Sequence, residues 1–118
     1  MNEKRDLGVY LEDILESIGR IEKYAKNINR EALGENSDIQ DAIAYRLEVI
    51  GEAAKHIPRE IRDKYPQIPW QEVARTRDKI IHHHFELDLN EIWDIIQHDL
   101  VPLKEQIKVV LEELDNHT

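Results

Sequence analysis

The sequence contains no cysteine, which excludes disulfides and thiolate metal sites and suits a reducing, cytoplasmic setting. Glycine and proline are scarce, at four each, and only 6% of residues are aromatic against 35% charged. High charge with few breakers favours helices. No run approaches the ~18 apolar residues of a membrane span. The opening "MNEKRDLGVY" carries no apolar signal core. Positive charge is also short: 16 Lys and Arg stand against 25 Asp and Glu, a formal charge of −9. A broad, non-specific grip on nucleic acid needs a positive footprint and is disfavoured. A local basic patch, or a basic partner, is still compatible with that balance. At 118 residues the chain has room for one domain around one core.

What is present is apolar periodicity. Leu7, Leu11, Ile14, Ile18, Ile21, Ala25 and Ile28 recur at alternating steps of four and three, the seam of a bundle helix. Gly34 offers a stop near Leu33. Ser37 with Gln40 reads as a capping box, opening a second helix with Ile39, Ile43, Leu47, Ile50, Ala54 and Ile57 on one face and Pro58 at its close. "RDKYPQIP" is a proline-punctuated connection after one short turn from Arg59 to Asp63. Pro69 suits the first turn of a third helix, with Trp70, Val73, Ile80 and Ile81 as its apolar face. Asp88 and Glu91 form a second capping box. The last helix carries Leu89, Ile92, Ile96, Leu100, Leu103, Ile107, Val110 and Leu114, and Pro102 predicts a kink or break near His98. The expected fold is all-α: one domain over residues 1–118, a mostly antiparallel bundle of four main helices plus a short helical turn. Val9, Tyr10 and Leu15 lie beside the first seam. They are either a second surface for homodimer packing or the flank of a broad core stripe.

The chemistry concentrates in "RDKIIHHHF", residues 77 to 85. Arg77 lies four residues after Val73 and four before Ile81, inside the apolar stripe. A guanidinium cannot shed its proton, so burial demands partners. A structural ion pair with Glu48 or Glu52 is the plain reading; a ligand phosphate is the functional one. Arg46, on the flank of the second seam, reads as a snorkelling side chain. In unbroken helix His84 shares the face of Arg77, whereas His82 lies about 140° around it and turns toward it only if the helix ends near Ile81. A dedicated metal site needs three or four convergent ligands, and helical pairs are usually spaced i,i+4, so the three histidines do not specify one. Acid–base chemistry needs less. Histidine titrates at about 6.5 and can move protons near neutrality. RNA supplies its own nucleophile, the 2′-hydroxyl, and arginine can grip the phosphate in bidentate fashion. Arg75, Arg77 and Lys79 against Asp78 would make a small positive island for a phosphodiester backbone; a merely solvated charged face is the competing reading.

These residues resemble the Rx4HxY motif of HEPN-domain toxins of the HepT type. The motif reads Arg77, four residues, His82, His83, then His84. "RLEVIGEAAKHI", "YPQIPW" and "RDKIIHHHFELDLNEIW" are similar to the family in the same order, chiefly over residues 40 to 97. The resemblance implies a metal-independent endoribonuclease toxin that needs no cofactor. It also implies a homodimer with the motifs facing each other across a cleft, and RNA, in some members tRNA, as substrate. The implied antitoxin is a minimal nucleotidyltransferase, which in related pairs adds AMP to the motif tyrosine. By that likeness Arg77 would orient and neutralise the scissile phosphate, His82 would handle protons, and Arg75, Lys79 and His84 would contact RNA. The tyrosine position holds His84, so either silencing would rest on binding alone or on another residue such as Tyr45 or Tyr65, or the chain is a variant of the pattern. His83 and His84 remain alternatives to His82 as the catalytic imidazole. A different class of function is a non-catalytic dimeric module that docks the nucleotidyltransferase, which the acidity and the missing tyrosine favour. A metal-dependent enzyme is the third reading.

Overall fold

The computed structural model describes residues 3–82 and 89–116, with side-chain placements for residues 6–78 and 89–116. Among these residues there is no strand. The helices are α1 (Glu3–Ala25), α2 (Arg30–Glu35), α3 (Ser37–Lys55), α4 (Arg59–Lys64), α5 (Trp70–His82), α6 (Leu89–Asp94) and α7 (Leu100–Asn116), with a π-helical turn, Ile95–Asp99, joining the last two. None is long and apolar enough to cross a membrane.

Helix α1 buries the seam read from its spacing. Leu11, Ile14, Ile18 and Ile21 are fully buried, and Leu7 and Ala25 nearly so. Each large side chain of this kind contributes ~1.5–3 kcal/mol on leaving water, which outweighs the poor prospects of so charged a helix standing alone. The seam faces α3, which supplies Ile43, Leu47, Ile50 and Ala54, and α7, which supplies Leu103, Ile107 and Val110. An ion pair from Lys104 to Glu22, at 3.1 Å, also joins α7 to α1. Tyr10 and Leu15 are half-buried flanks of this core, so the broad-stripe reading holds for them; Val9 alone of the three is largely exposed.

The structure corrects two boundaries. The first helix ends at Ala25 rather than near Leu33. Asn29 Oδ1 accepts from the Ala32 N–H at 2.8 Å and starts the short α2, so Gly34 lies inside a helix instead of stopping one. The cap of α3 is Asn36, accepting from the Ile39 N–H at 3.0 Å, not Ser37. Gln40 donates instead to the Leu33 and Gly34 carbonyls, tying the end of α2 to α3. The predicted break near His98 takes the form of the π turn. Pro102 has no N–H for the His98 carbonyl, and one wider turn absorbs the mismatch. Among the described residues there are therefore three six-residue helices, α2, α4 and α6, where one short turn was expected. Asp88, the proposed cap of the last helix, lies outside the described residues.

The "YPQIPW" connection is a plug. Tyr65, Ile68 and Trp70 are buried, and the Trp70 indole donates to the Tyr65 carbonyl at 3.1 Å. Arg62 closes the end of α3 by donating to the Ile57 and Ala54 carbonyls, at 3.1 and 2.7 Å. The Tyr65 hydroxyl donates to Glu113 of α7. Burial, then that hydrogen bond, then the Glu113 charge push the phenol up to about 12 from its usual 10. The folded form thus keeps a proton that the unfolded chain loses first. This contribution is fully present below pH 10 and is lost as pH rises toward 12. Tyr65→Phe should cost about 1 kcal/mol at neutral pH and should flatten that alkaline loss. Thermal melts of both proteins from pH 8 to 11.5 check it: parallel alkaline slopes would show that Tyr65 is not responsible.

Candidate active site

Helices α3 and α5 meet through their C-terminal halves at Gly51. A Cβ built on Gly51 would lie 2.5 Å from the Arg77 Cβ and 2.8 Å from the Arg77 backbone nitrogen. Only a residue without a side chain admits this approach. It sets Arg77 beside Glu52, the next residue of α3. Arg77 Nε lies 2.6 Å from Glu52 Oε2, and Nη1 lies 3.7 Å from Asp78 Oδ1. The expected ion pair is therefore formed, and Glu52 rather than Glu48 makes it. It does not seal the cation, because the Arg77 side chain remains 33% exposed. A pair this wet contributes only ~0–1 kcal/mol to stability. Its larger consequence is orientation, since Glu52 pins one edge of the guanidinium.

Glu52 has a second partner. Its Oε1 lies 3.3 Å from Nε2 of His56, the residue that caps α3. The His56 ring stacks on Tyr10 of α1, with centroids 4.8 Å apart and planes 9° from parallel. Lys55 reaches Asp78 at 2.7 Å. Three helices thus bring Tyr10, Glu52, Lys55, His56, Arg77 and Asp78 into one cluster in which acids and bases are matched. His56 escaped the sequence reading, and Tyr10 was read only as a residue beside the first seam. The i,i+4 spacing of Glu52 and His56 was a local signal for one contact, but nothing local announces the Tyr10 stack.

The remaining predicted residues separate. Arg75 is exposed and sits about 200° around α5 from Arg77, so the two do not share a face. Of the island read as Arg75, Arg77 and Lys79 against Asp78, the charge of Arg77 is met by Glu52 and Asp78. Helix α5 runs through His82. In continuous helix the Cα of His82 lies about 140° around the axis from that of Arg77. The side chains of Lys79 and His82, and the whole of His83 and His84, lie outside the described residues. Arg46 lies over the Tyr45 ring, 5.1 Å from its centroid, in keeping with a snorkelling role. Of the two alternative tyrosine acceptors, Tyr65 is buried and engaged with Glu113, whereas Tyr45 is exposed. Among the described residues no three His, Asp or Glu side chains are placed to hold a metal ion. A separate cavity of about 310 Å³ opens over Leu47, Ile50, Val73 and Leu103, and neither Arg77 nor Glu52 lines it.

Residues 14–110 match the family model described as Ribonuclease HepT-like. A Thermococcus cleftensis protein named as a probable ribonuclease HepT is 42% identical over 101 residues, covering 86% of this chain and 92% of its own. A Methanocaldococcus jannaschii protein named as a candidate RNase is 38% identical over 112 residues, 95% of this chain and 93% of its own. A longer protein of the same organism, named as a gamma-glutamylcyclotransferase and candidate RNase, is 42% identical over 114 residues; the match takes in 97% of this chain and 51% of that protein. No solved structure matches the chain.

Proposed function

This chain belongs to the HepT-like ribonuclease family and is a ribonuclease, and from that premise we propose that it is a metal-independent endoribonuclease toxin acting as a homodimer. The observation that carries the reading is the state of Arg77: one guanidinium edge is held by Glu52 while a third of the side chain faces solvent. A cation oriented by Glu52 and still a third exposed is ready to take a phosphate oxygen. His82 stands five residues on, around the helix from it. A second copy facing the first would bring the partner's imidazole to the phosphate that Arg77 holds. In the reaction an imidazole takes the proton of the 2′-hydroxyl and the 2′-oxygen bonds to phosphorus. The P–O5′ bond breaks and the leaving 5′-oxygen is protonated. The products are a 2′,3′-cyclic phosphate end and a 5′-hydroxyl end. Arg77 balances charge on the phosphoryl oxygens throughout. The antitoxin in this reading is a minimal nucleotidyltransferase, tRNA is the first substrate to try, and Lys79 and His84 contact the RNA.

One observation favours the binding-module alternative: the Arg77 charge already has an acidic partner at 2.6 Å. Incubation with mixed tRNA in EDTA separates the two. The protein should release fragments ending in cyclic phosphate, and His82→Ala should cut at least about 100-fold more slowly. Undiminished cutting by that variant removes His82 from the chemistry. Cutting only after metal is restored overturns the metal-free reading. No cutting at all, with tight binding of the nucleotidyltransferase, leaves the module.

A further inference from the structure

We infer that the Tyr10–His56 stack is a subsite for an unpaired nucleobase of the RNA, next to the phosphate held by Arg77. The inference rests on the ribonuclease reading above and adds a base-binding element to it. Two rings from different helices, α1 and the end of α3, lie nearly parallel at 4.8 Å. The inner ring, Tyr10, is half-buried against the core and gives the stack a firm base. The outer ring, His56, keeps 49% of its side chain exposed even though one face covers Tyr10 and Nε2 abuts Glu52. Nearly half of this ring-bearing side chain thus stays accessible, and an accessible aromatic ring is what an unpaired base stacks on.

Glu52 makes the location informative. One carboxylate oxygen holds the edge of His56 and the other holds Arg77. The platform and the cation are therefore a single carboxylate apart, a separation suited to a base and the phosphate of the same or the adjoining nucleotide. The clamp on Nε2 also fixes the ring plane in advance, so little freedom is lost when a base arrives. Stacking accepts every base, which fits a protein whose formal charge of −9 disfavours gripping RNA by its backbone alone.

The test uses short single-stranded oligoribonucleotides with one 2-aminopurine, whose fluorescence falls on stacking. Wild type should quench the probe. His56→Phe, which keeps a ring but loses the bond to Glu52, should quench it too and cleave with a near-normal KM. His56→Ala and His56→Gln should fail to quench, and KM for RNA should rise roughly tenfold while kcat falls far less. Rescue by Gln but not by Phe would mean that His56 serves only to brace Glu52, and the inference would fall. Cleavage with an unchanged KM in all three variants would overturn it as well, with the ribonuclease reading intact. Quenching without any cleavage would do the opposite, keeping the subsite and removing the toxin chemistry.

Discussion

Gly51→Ala is expected to lower the melting temperature by roughly 8 °C, at about 4 °C per kcal/mol for a chain of this size. Two effects oppose each other. Alanine is the better helix former, by about 1 kcal/mol. Against this, its methyl group would lie 2.5 Å from the Arg77 Cβ and 2.8 Å from the Arg77 nitrogen. The nitrogen is backbone, so no rotamer change relieves the clash and α5 must move away from α3. Overpacking of this kind costs ~1–3 kcal/mol, occasionally more. With rigid backbone as the obstacle, a net loss of about 2 kcal/mol is expected. Gly19→Ala is the internal control. Gly19 is exposed within α1 and a Cβ there meets nothing within 4 Å, so that variant should gain ~0.5–1 kcal/mol. Calorimetry of both variants decides: if Gly51→Ala also stabilises, the helices do not approach as described. RNA cleavage should fall together with stability in Gly51→Ala, because the same displacement shifts the base of the Arg77 side chain.

Arg77→Ala should slow RNA cleavage by about 100- to 1,000-fold, the usual loss when one preorganised charge partner of the transition state is removed. The fold should hardly notice, because a pair with one member a third exposed contributes ~0–1 kcal/mol. Arg77→Lys should recover only a small part of the rate. Lysine restores the charge but has no planar fork with which to meet Glu52 on one edge and a phosphate on another. The measurements are single-turnover cleavage and a melting curve for each variant. Wild-type cleavage by the lysine variant would reduce the requirement to charge alone. A melting point that collapses with the rate would make Arg77 a structural residue.

The sequence was legible where packing is periodic. The seams of α1, α3 and the last helical stretch follow from the spacing of Ile and Leu, because burial of those side chains outweighs every other local preference. It was illegible where a short polar side chain competes with that period. The apolar repeat runs on through Ile28, so it hid the Asn29 cap that ends its register. Asn36 likewise took the position read for Ser37, freeing Gln40 for carbonyls of α2. Ser17 is another case: fully buried, its hydroxyl has no hydrogen-bond partner among the described residues, and nothing in them accounts for it. At the site, the position of Arg77 within an apolar stripe announced a partner, and Glu52 was one of two carboxylates in reach. The contribution of α1 was invisible, because the Tyr10–His56 contact joins residues 46 positions apart through tertiary packing alone.

One surplus residue is wound into the chain at Ile95–Asp99. Ile92 before it, Ile96 within it, and Leu100 and Leu103 after it are all still buried, so the turn acts as a phase shifter between two stretches of rod. Removing a single residue there would restore ordinary winding and swing everything upstream by about 100°. The rod's upstream end is where the chain arrives from the three histidines. A change of length in this stretch would therefore steer that arrival to another side of the bundle, whereas a change of residue type would alter only how tightly the rod is seated.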